Sequence, residues 1–112
     1  MKLSIETVIT PEKIINYLLI AKKRNDKSKW LNDAGYTQEN WQRFENDLRT
    51  QILSLDAVQT AQNEYGQMDE IRGTLSGPNG KTLHVCSIWM QEYQTGLTKF
   101  ITIYPDKRRS ER

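Results

Sequence analysis

The run MDEIRGTLSGPNGKTLHVCSIWMQ, residues 68–91, decides the fold. Met68 to Ser76 and Lys81 to Gln91 are rich in β-branched and aromatic side chains, and Gly77-Pro78-Asn79-Gly80 lies between them. Pro and Asn suit the two central positions of a type I turn, and Gly can take the left-handed residue that follows. The pattern predicts a β-hairpin. Leu97 to Tyr104 is a third run of the same kind, reached through the looser turn Tyr93-Gln94-Thr95-Gly96, so the strands should form an antiparallel meander. In the middle strand Leu83, Val85, Ser87 and Trp89 should point one way, and His84, Cys86, Ile88 and Met90 the other.

Upstream the spacing changes. Trp41, Phe44, Leu48, Ile52 and Leu55 recur every third or fourth residue, with Thr37 as an N-cap, and predict a helix from there to about Leu55. Thr10 and Pro11 suit the start of an earlier helix reaching about Lys23, with Ile14, Ile15, Leu18, Leu19 and Ala21 as its apolar stripe. Asp26 can cap a short helix between the two, buried through Trp30, Leu31 and Ala34 and closed by a left-handed Gly35, with Tyr36 packing back. Leu3, Ile5, Thr7 and Ile9 alternate, suggesting a short extended lead-in, and the polar residues 59–67 read as a loop. Helices followed by strands define an α+β fold, with the N-terminal helices packed on one face of a C-terminal meander of three to four strands. A single domain over residues 1–105 is expected, with 106–112 a charged, frayed tail.

Composition narrows the function classes. At 112 residues the chain has room for one core, which three Trp, five Tyr and two Phe can fill. A net charge of +2 marks neither a strongly basic nucleic-acid binder nor an acidic tail. Cys86 is the one cysteine, which excludes an internal disulfide and a cysteine-based metal knuckle and suits a reducing cytoplasm. No apolar stretch approaches the ~18 residues of a membrane span, so a soluble, cytoplasmic protein without cofactor or metal is expected.

Specific strings carry a resemblance: Lys13 with the following Ile-Ile-Asn-Tyr-Leu-Leu, the Asp-Lys-Ser-Lys-Trp-Leu run from Asp26, Gly35-Tyr36, Tyr65-Gly66, Gly77-Pro78-Asn79-Gly80, Trp89, and Thr102-Ile103-Tyr104-Pro105. Over nearly its whole length the chain resembles the bacterial family called domain of unknown function 6883. Some related domains stand at the ends of toxin-like or phage-head proteins. The resemblance implies a small ribonuclease-like fold, with helices followed by a four-stranded sheet.

Few residues suggest chemistry. Lys27 matches the family string, and with Lys22, Lys23, Arg24 and Lys29 it can engage phosphates, although such a run is ordinarily a solvated basic loop. His84 is the one histidine, suited to proton transfer near neutrality, but its strand neighbours predict burial among apolar groups. Glu70, Arg72 and Thr74 share one strand face, and Thr102 and Tyr104 share a face with Phe100 on the last strand. Metal-free RNA cleavage needs a proton acceptor, a proton donor and a cation, roles that Lys27, Arg72, His84, Thr102 and Tyr104 can fill if they meet; ordinary cross-strand pairing is the plainer account. Cys86 should be an interior small hydrophobe, and the three Trp should be packing residues.

Two functions follow. The favoured one is a non-catalytic interaction module, binding a protein partner or itself, as one half of a two-protein, toxin/antitoxin-like system. The alternative is a metal-independent, ribonuclease-like toxin domain acting on RNA through Lys27 and the polar residues of the sheet. Convergence of Lys27, Arg72 and Thr102 on one place separates the two.

Overall fold

The computed structural model describes residues 2–23 and 26–107. At its centre is the expected hairpin: Gly80 N–H donates to Gly77 O at 3.0 Å across Pro78 and Asn79, and Gly80 takes the left-handed conformation at φ 87°. It joins β2 (Gly66–Ser76) to β3 (Thr82–Glu92), and the second turn leads to β4 (Thr98–Pro105). The sheet is a four-stranded antiparallel meander in the order β1-β2-β3-β4.

Strand β1 (Val58–Gln62) lies, but for Val58, inside the segment 59–67 expected to be a loop. All five of its residues are exposed. An edge strand pairing on one side needs only backbone hydrogen bonds, so no alternation of apolar residues marks it in the sequence.

The helices are shorter than their apolar stripes suggested. α1 (Pro11–Lys13) continues as one π-helical turn, Ile14–Leu18, and stops there rather than near Lys23. Ile14, Ile15 and Asn16, all mediocre helix formers, occupy its middle. α2 (Ser28–Asn32) ends as predicted, with Gly35 at φ 98° and Tyr36 N–H donating to Leu31 O at 3.1 Å. α3 (Trp41–Asp47) continues as the π-helical turn Leu48–Ile52 and begins four residues after Thr37, its expected cap. Thr37 N–H donates to Asn40 Oδ1 at 2.7 Å and Asn40 N–H to Thr37 Oγ1 at 3.3 Å, which holds residues 37–40 in a turn. In the lead-in, Thr7 N–H donates to Ser4 O at 3.1 Å, so that part turns, and only Val8 bridges the sheet, in parallel with Lys99.

One face of the sheet packs on these helices. Ile71, Leu75, Val85, Trp89 and Ile103 are fully buried against Ile14, Leu18, Leu31, Phe44, Leu48 and Ile52. Trp89 donates its indole N–H to Ser87 Oγ at 2.8 Å; Trp30 and Trp41 pack half-buried at the core margin. The hairpin tip is clamped to the end of α2, where Asn79 Nδ2 donates to Asp33 O at 2.8 Å and Gly77 sits against the Ala34 backbone. This clamp fixes α2, and Lys27 just before it, relative to the strands.

Candidate functional site

The sheet face turned away from the helices carries three rows of side chains. Strand pairing aligns Glu70, Ile88 and Thr102 in one row and Arg72, Cys86 and Tyr104 in the next. Thr74 pairs with His84, whose carbonyl accepts the Asp106 N–H at 2.9 Å, making a third row.

Lys27 reaches this face from the start of α2. Its Nζ donates to Thr102 Oγ1 at 2.7 Å, across 75 residues of sequence, and lies 6.0 Å from the centre of the Tyr104 ring. The preceding Asp26 sets the approach, because one of its carboxylate oxygens accepts the Ser28 N–H at 2.8 Å and the Ser28 hydroxyl at 2.6 Å. Those bonds, the hydroxyl's foremost, hold the Asp26 carboxyl below the usual range. Burial lowers the pKa of the Lys27 ammonium, and the charges of Lys22 and Lys13 lower it further.

Arg72 is held from both sides: Nε donates to Glu70 Oε1 at 2.7 Å, and Nη1 reaches across β3 to Asp106 Oδ1 at 2.6 Å. Burial is the largest influence and opposes its charge, but the bond to Glu70 and the surrounding charges, those of Glu70 and Asp106 among them, together outweigh that loss and hold the guanidinium more firmly cationic than usual. Cys86, between Arg72 and Tyr104, is fully buried, as an inert small hydrophobe should be, and burial pushes its thiol up. A hydrogen bond with Cys86, then burial, pushes the Tyr104 phenol up to about 12, so Tyr104 keeps its proton at neutral pH. A hollow of about 440 Å³ opens beside this row, lined by Arg72, Tyr104, Pro105, Asp106 and Lys107.

Lys27, Arg72, Thr102 and Tyr104 therefore share one surface. His84 shares the face, one row from Arg72 and Tyr104 but two rows, roughly 13 Å along the strands, from Thr102, and it is exposed rather than buried because no layer covers this face. Lys22 belongs to the neighbourhood of Lys27, whereas Lys23 and Lys29 are simply exposed. Arg24 lies outside the described residues.

Two members of the site were missed. Asp106, expected to open a frayed tail, is 6% exposed and paired with Arg72. Nothing in its charged, apolar-poor surroundings signals this, since the partner comes from a distant strand. Glu70 was placed on the correct face without a role; its position two residues from Arg72 with opposite charge was the available clue. Among the described residues no group of three or more His, Cys, Asp and Glu could hold a metal ion, and no helix is long and apolar enough to cross a membrane.

Fold and face define a small α+β domain whose helices cover one side of a four-stranded meander and leave a polar, charged side uncovered. The chain belongs to the family described as Domain of unknown function (DUF6883), whose model matches residues 4–107. Among solved structures it is similar to a chain of the "Contact-dependent growth inhibition toxin - immunity protein complex from Klebsiella pneumoniae 342", with a TM-score of 0.57 and 17% identity over 89% of this chain and 93% of that one. At that identity the likeness is one of fold. No curated protein matches the chain.

Proposed function

We propose that this chain is the toxin-type half of a two-protein system and cleaves RNA on its uncovered sheet face without a metal ion. The observation that carries this reading is the Lys27–Thr102 hydrogen bond, which joins a loop cation to the face bearing Arg72, Glu70 and Tyr104. That convergence is the feature that separates a catalytic face from an ordinary one. The fold likeness to a chain of a toxin–immunity complex supports the two-protein part.

In this scheme Glu70 accepts the proton of the RNA 2′-hydroxyl, whose oxygen bonds to the adjacent phosphorus. The bond from phosphorus to the 5′-oxygen breaks, and Tyr104 protonates that leaving oxygen. Lys27 and Arg72 stabilise the negative charge that grows on the phosphoryl oxygens, the kind of preorganised electrostatic help that contributes most in such reactions. The products are a cyclic phosphate and a free 5′-hydroxyl. The cytoplasm fits as the setting, since RNA is there and Cys86 stays reduced.

The direct test is incubation of purified protein with RNA in EDTA. Cleavage that disappears in Lys27→Ala is expected; intact RNA, or cleavage indifferent to Lys27, would sink the scheme.

A second reading, a non-catalytic interaction module, is favoured by Tyr65 and Tyr93. They are 68% and 55% exposed and adjacent, since Tyr93 N–H donates to Tyr65 O at 3.0 Å. Recovery of a stoichiometric partner together with inertness towards RNA would select it, and a protein that recovers no partner under several conditions counts against it.

A further inference from the structure

Beside the reacting face, at the outer edge of β4, Lys13 and Lys22 meet at the Tyr17 ring, near enough to Lys27 for their charges to act on it. Lys13 Nζ donates to Ile101 O at 2.9 Å, while Lys27 Nζ donates to the hydroxyl of the next residue, Thr102, at 2.7 Å. The Lys22 Nζ lies 3.3 Å from the centre of the Tyr17 ring, and the Lys13 Nζ lies 5.6 Å from the same centre. The ring thus fixes the ammonium of Lys22 by a cation–π contact within reach of the other two. Thr10, Glu12, Lys13, Asn16 and Tyr17 border a hollow of about 370 Å³ here, and Tyr17 is 41% exposed.

Among the described residues the ion pairs engage Lys2, Arg43, Arg49, Arg72 and Lys99, and none engages Lys13, Lys22 or Lys27. The nearby Asp26 carboxylate directs its hydrogen bonds to Ser28 while keeping its charge, and Glu12 borders the same hollow. Like charges held together at a partly buried edge repel, as the effect of Lys13 and Lys22 on Lys27 shows, and an anion seated among them turns that repulsion into attraction. A phosphodiester matches: its non-bridging oxygens accept several ammonium donors at once.

We propose that Lys13 and Lys22, which meet at Tyr17, form with the neighbouring Lys27 a phosphate-binding subsite for single-stranded RNA, holding a backbone phosphate beside the one that reacts. The subsite rests on the reading of the sheet face as RNA-cleaving and extends it to the substrate class and its direction of approach, from α1 across the edge of β4.

The test separates binding from cleavage by using a 2′-O-methylated oligoribonucleotide, which cannot be cut by 2′-oxygen attack. Fluorescence anisotropy across a salt series gives the slope of log affinity on log salt. Lys22→Gln, at a residue whose ammonium makes no hydrogen bond among the described residues, should weaken binding several-fold and lower the slope by about 0.7, the share of one single-strand phosphate contact. Adding Lys13→Gln should lower it again, the Lys13→Arg, Lys22→Arg double variant should restore it, and Lys81→Gln in the hairpin turn should not change it. An unchanged slope in Lys22→Gln, or no binding by the wild-type chain, overturns the subsite. Binding with the expected lysine dependence by a protein that leaves natural RNA intact in EDTA would keep the subsite and remove the cleavage reading. Cleavage with no dependence on Lys13 or Lys22 would do the reverse.

Discussion

Lys27 and Thr102, 75 residues apart in sequence, are joined by a 2.7 Å hydrogen bond from the ammonium to the hydroxyl. This bond turns a basic loop into part of the sheet face. Lys27→Ala should lower RNA cleavage by ~100-fold or more, the usual loss when one preorganised charge-stabilising donor is removed, and should leave the thermal melt nearly unchanged. Because burial and the neighbouring Lys22 and Lys13 lower its pKa, Lys27 loses its charge below the ~10.4 of a free lysine. The alkaline limb of the rate profile should fall correspondingly early, and Lys27→Arg should move it upward.

Tyr104 lies in the row beside Lys27, whereas His84 stands at the rim. Tyr104→Phe removes only the donating hydroxyl and should reduce cleavage by ~100-fold, while His84→Ala should cost less than about 10-fold, within the range general acid catalysis spans. Single-turnover rates at saturating RNA distinguish the two, and a larger loss in His84→Ala would transfer the donor role to the histidine.

Arg72 spans Glu70 and Asp106 and so ties the chain beyond β4 to β2. Arg72→Ala removes the 2.6 Å charged hydrogen bond to the nearly buried Asp106 carboxylate and should cost about 1–3 kcal/mol. Thermal melting should drop by roughly 4–8 °C for each kcal/mol lost. Arg72→Lys should recover only part, because one ammonium cannot match a guanidinium bonded in two directions.

Tyr36 is buried and donates to Asp47 Oδ2 at 2.6 Å, while Arg43 Nε donates to the same oxygen at 3.0 Å. Burial first, then the Asp47 carboxylate, push the Tyr36 phenol far above its ordinary range. An unfolded tyrosine titrates near ~10, so above that pH the unfolded chain releases a proton that the folded chain keeps. The stability contributed is complete below about pH 10 and is lost as pH rises towards the folded value. Tyr104, pushed up to about 12, acts with the same sign. Melting temperature should decline from about pH 10 upward, and Tyr36→Phe should flatten that decline while costing about 1 kcal/mol at neutrality.

Gly77 and Gly80 stand at two ends of the same turn for different reasons. A Cβ on Gly77 would collide with the Ala34 backbone, whereas one on Gly80 meets open space but must adopt φ 87°. Gly80→Ala should cost about 1–2 kcal/mol of backbone strain. Gly77→Ala should cost at least as much and, by shifting α2, should also weaken the Lys27–Thr102 contact, read as lower cleavage at a temperature where the variant is folded. Equal cleavage in the two variants would show that the clamp does not position Lys27.

What could be read from the chain alone was what depends on neighbours in sequence. The alternation through Leu83, Val85, Ser87 and Trp89, the turn chemistry of residues 77–80 and the left-handed Gly35 each act over a few residues, and each predicted feature is present. So is the α+β order of elements. Helix ends were less legible, because the apolar stripe records which side chains meet the core and not where backbone hydrogen bonding stops. Thus Ala21 and Leu55 continue a spacing that the helices themselves do not.

The tertiary structure decided the rest. β1 is a strand because β2 offers it a hydrogen-bonding edge, although Gln59 to Gln62 carry no strand pattern of their own. Asp106 is buried because Arg72 reaches it from two strands away, and His84 is exposed because the helices cover only the opposite face. The candidate site belongs to this second class. Its lysine, arginine and hydroxyls lie far apart in sequence, and a pairing worth little between neighbours in water becomes a defined charged surface only when the sheet register and the clamp at Ala34 bring the groups together.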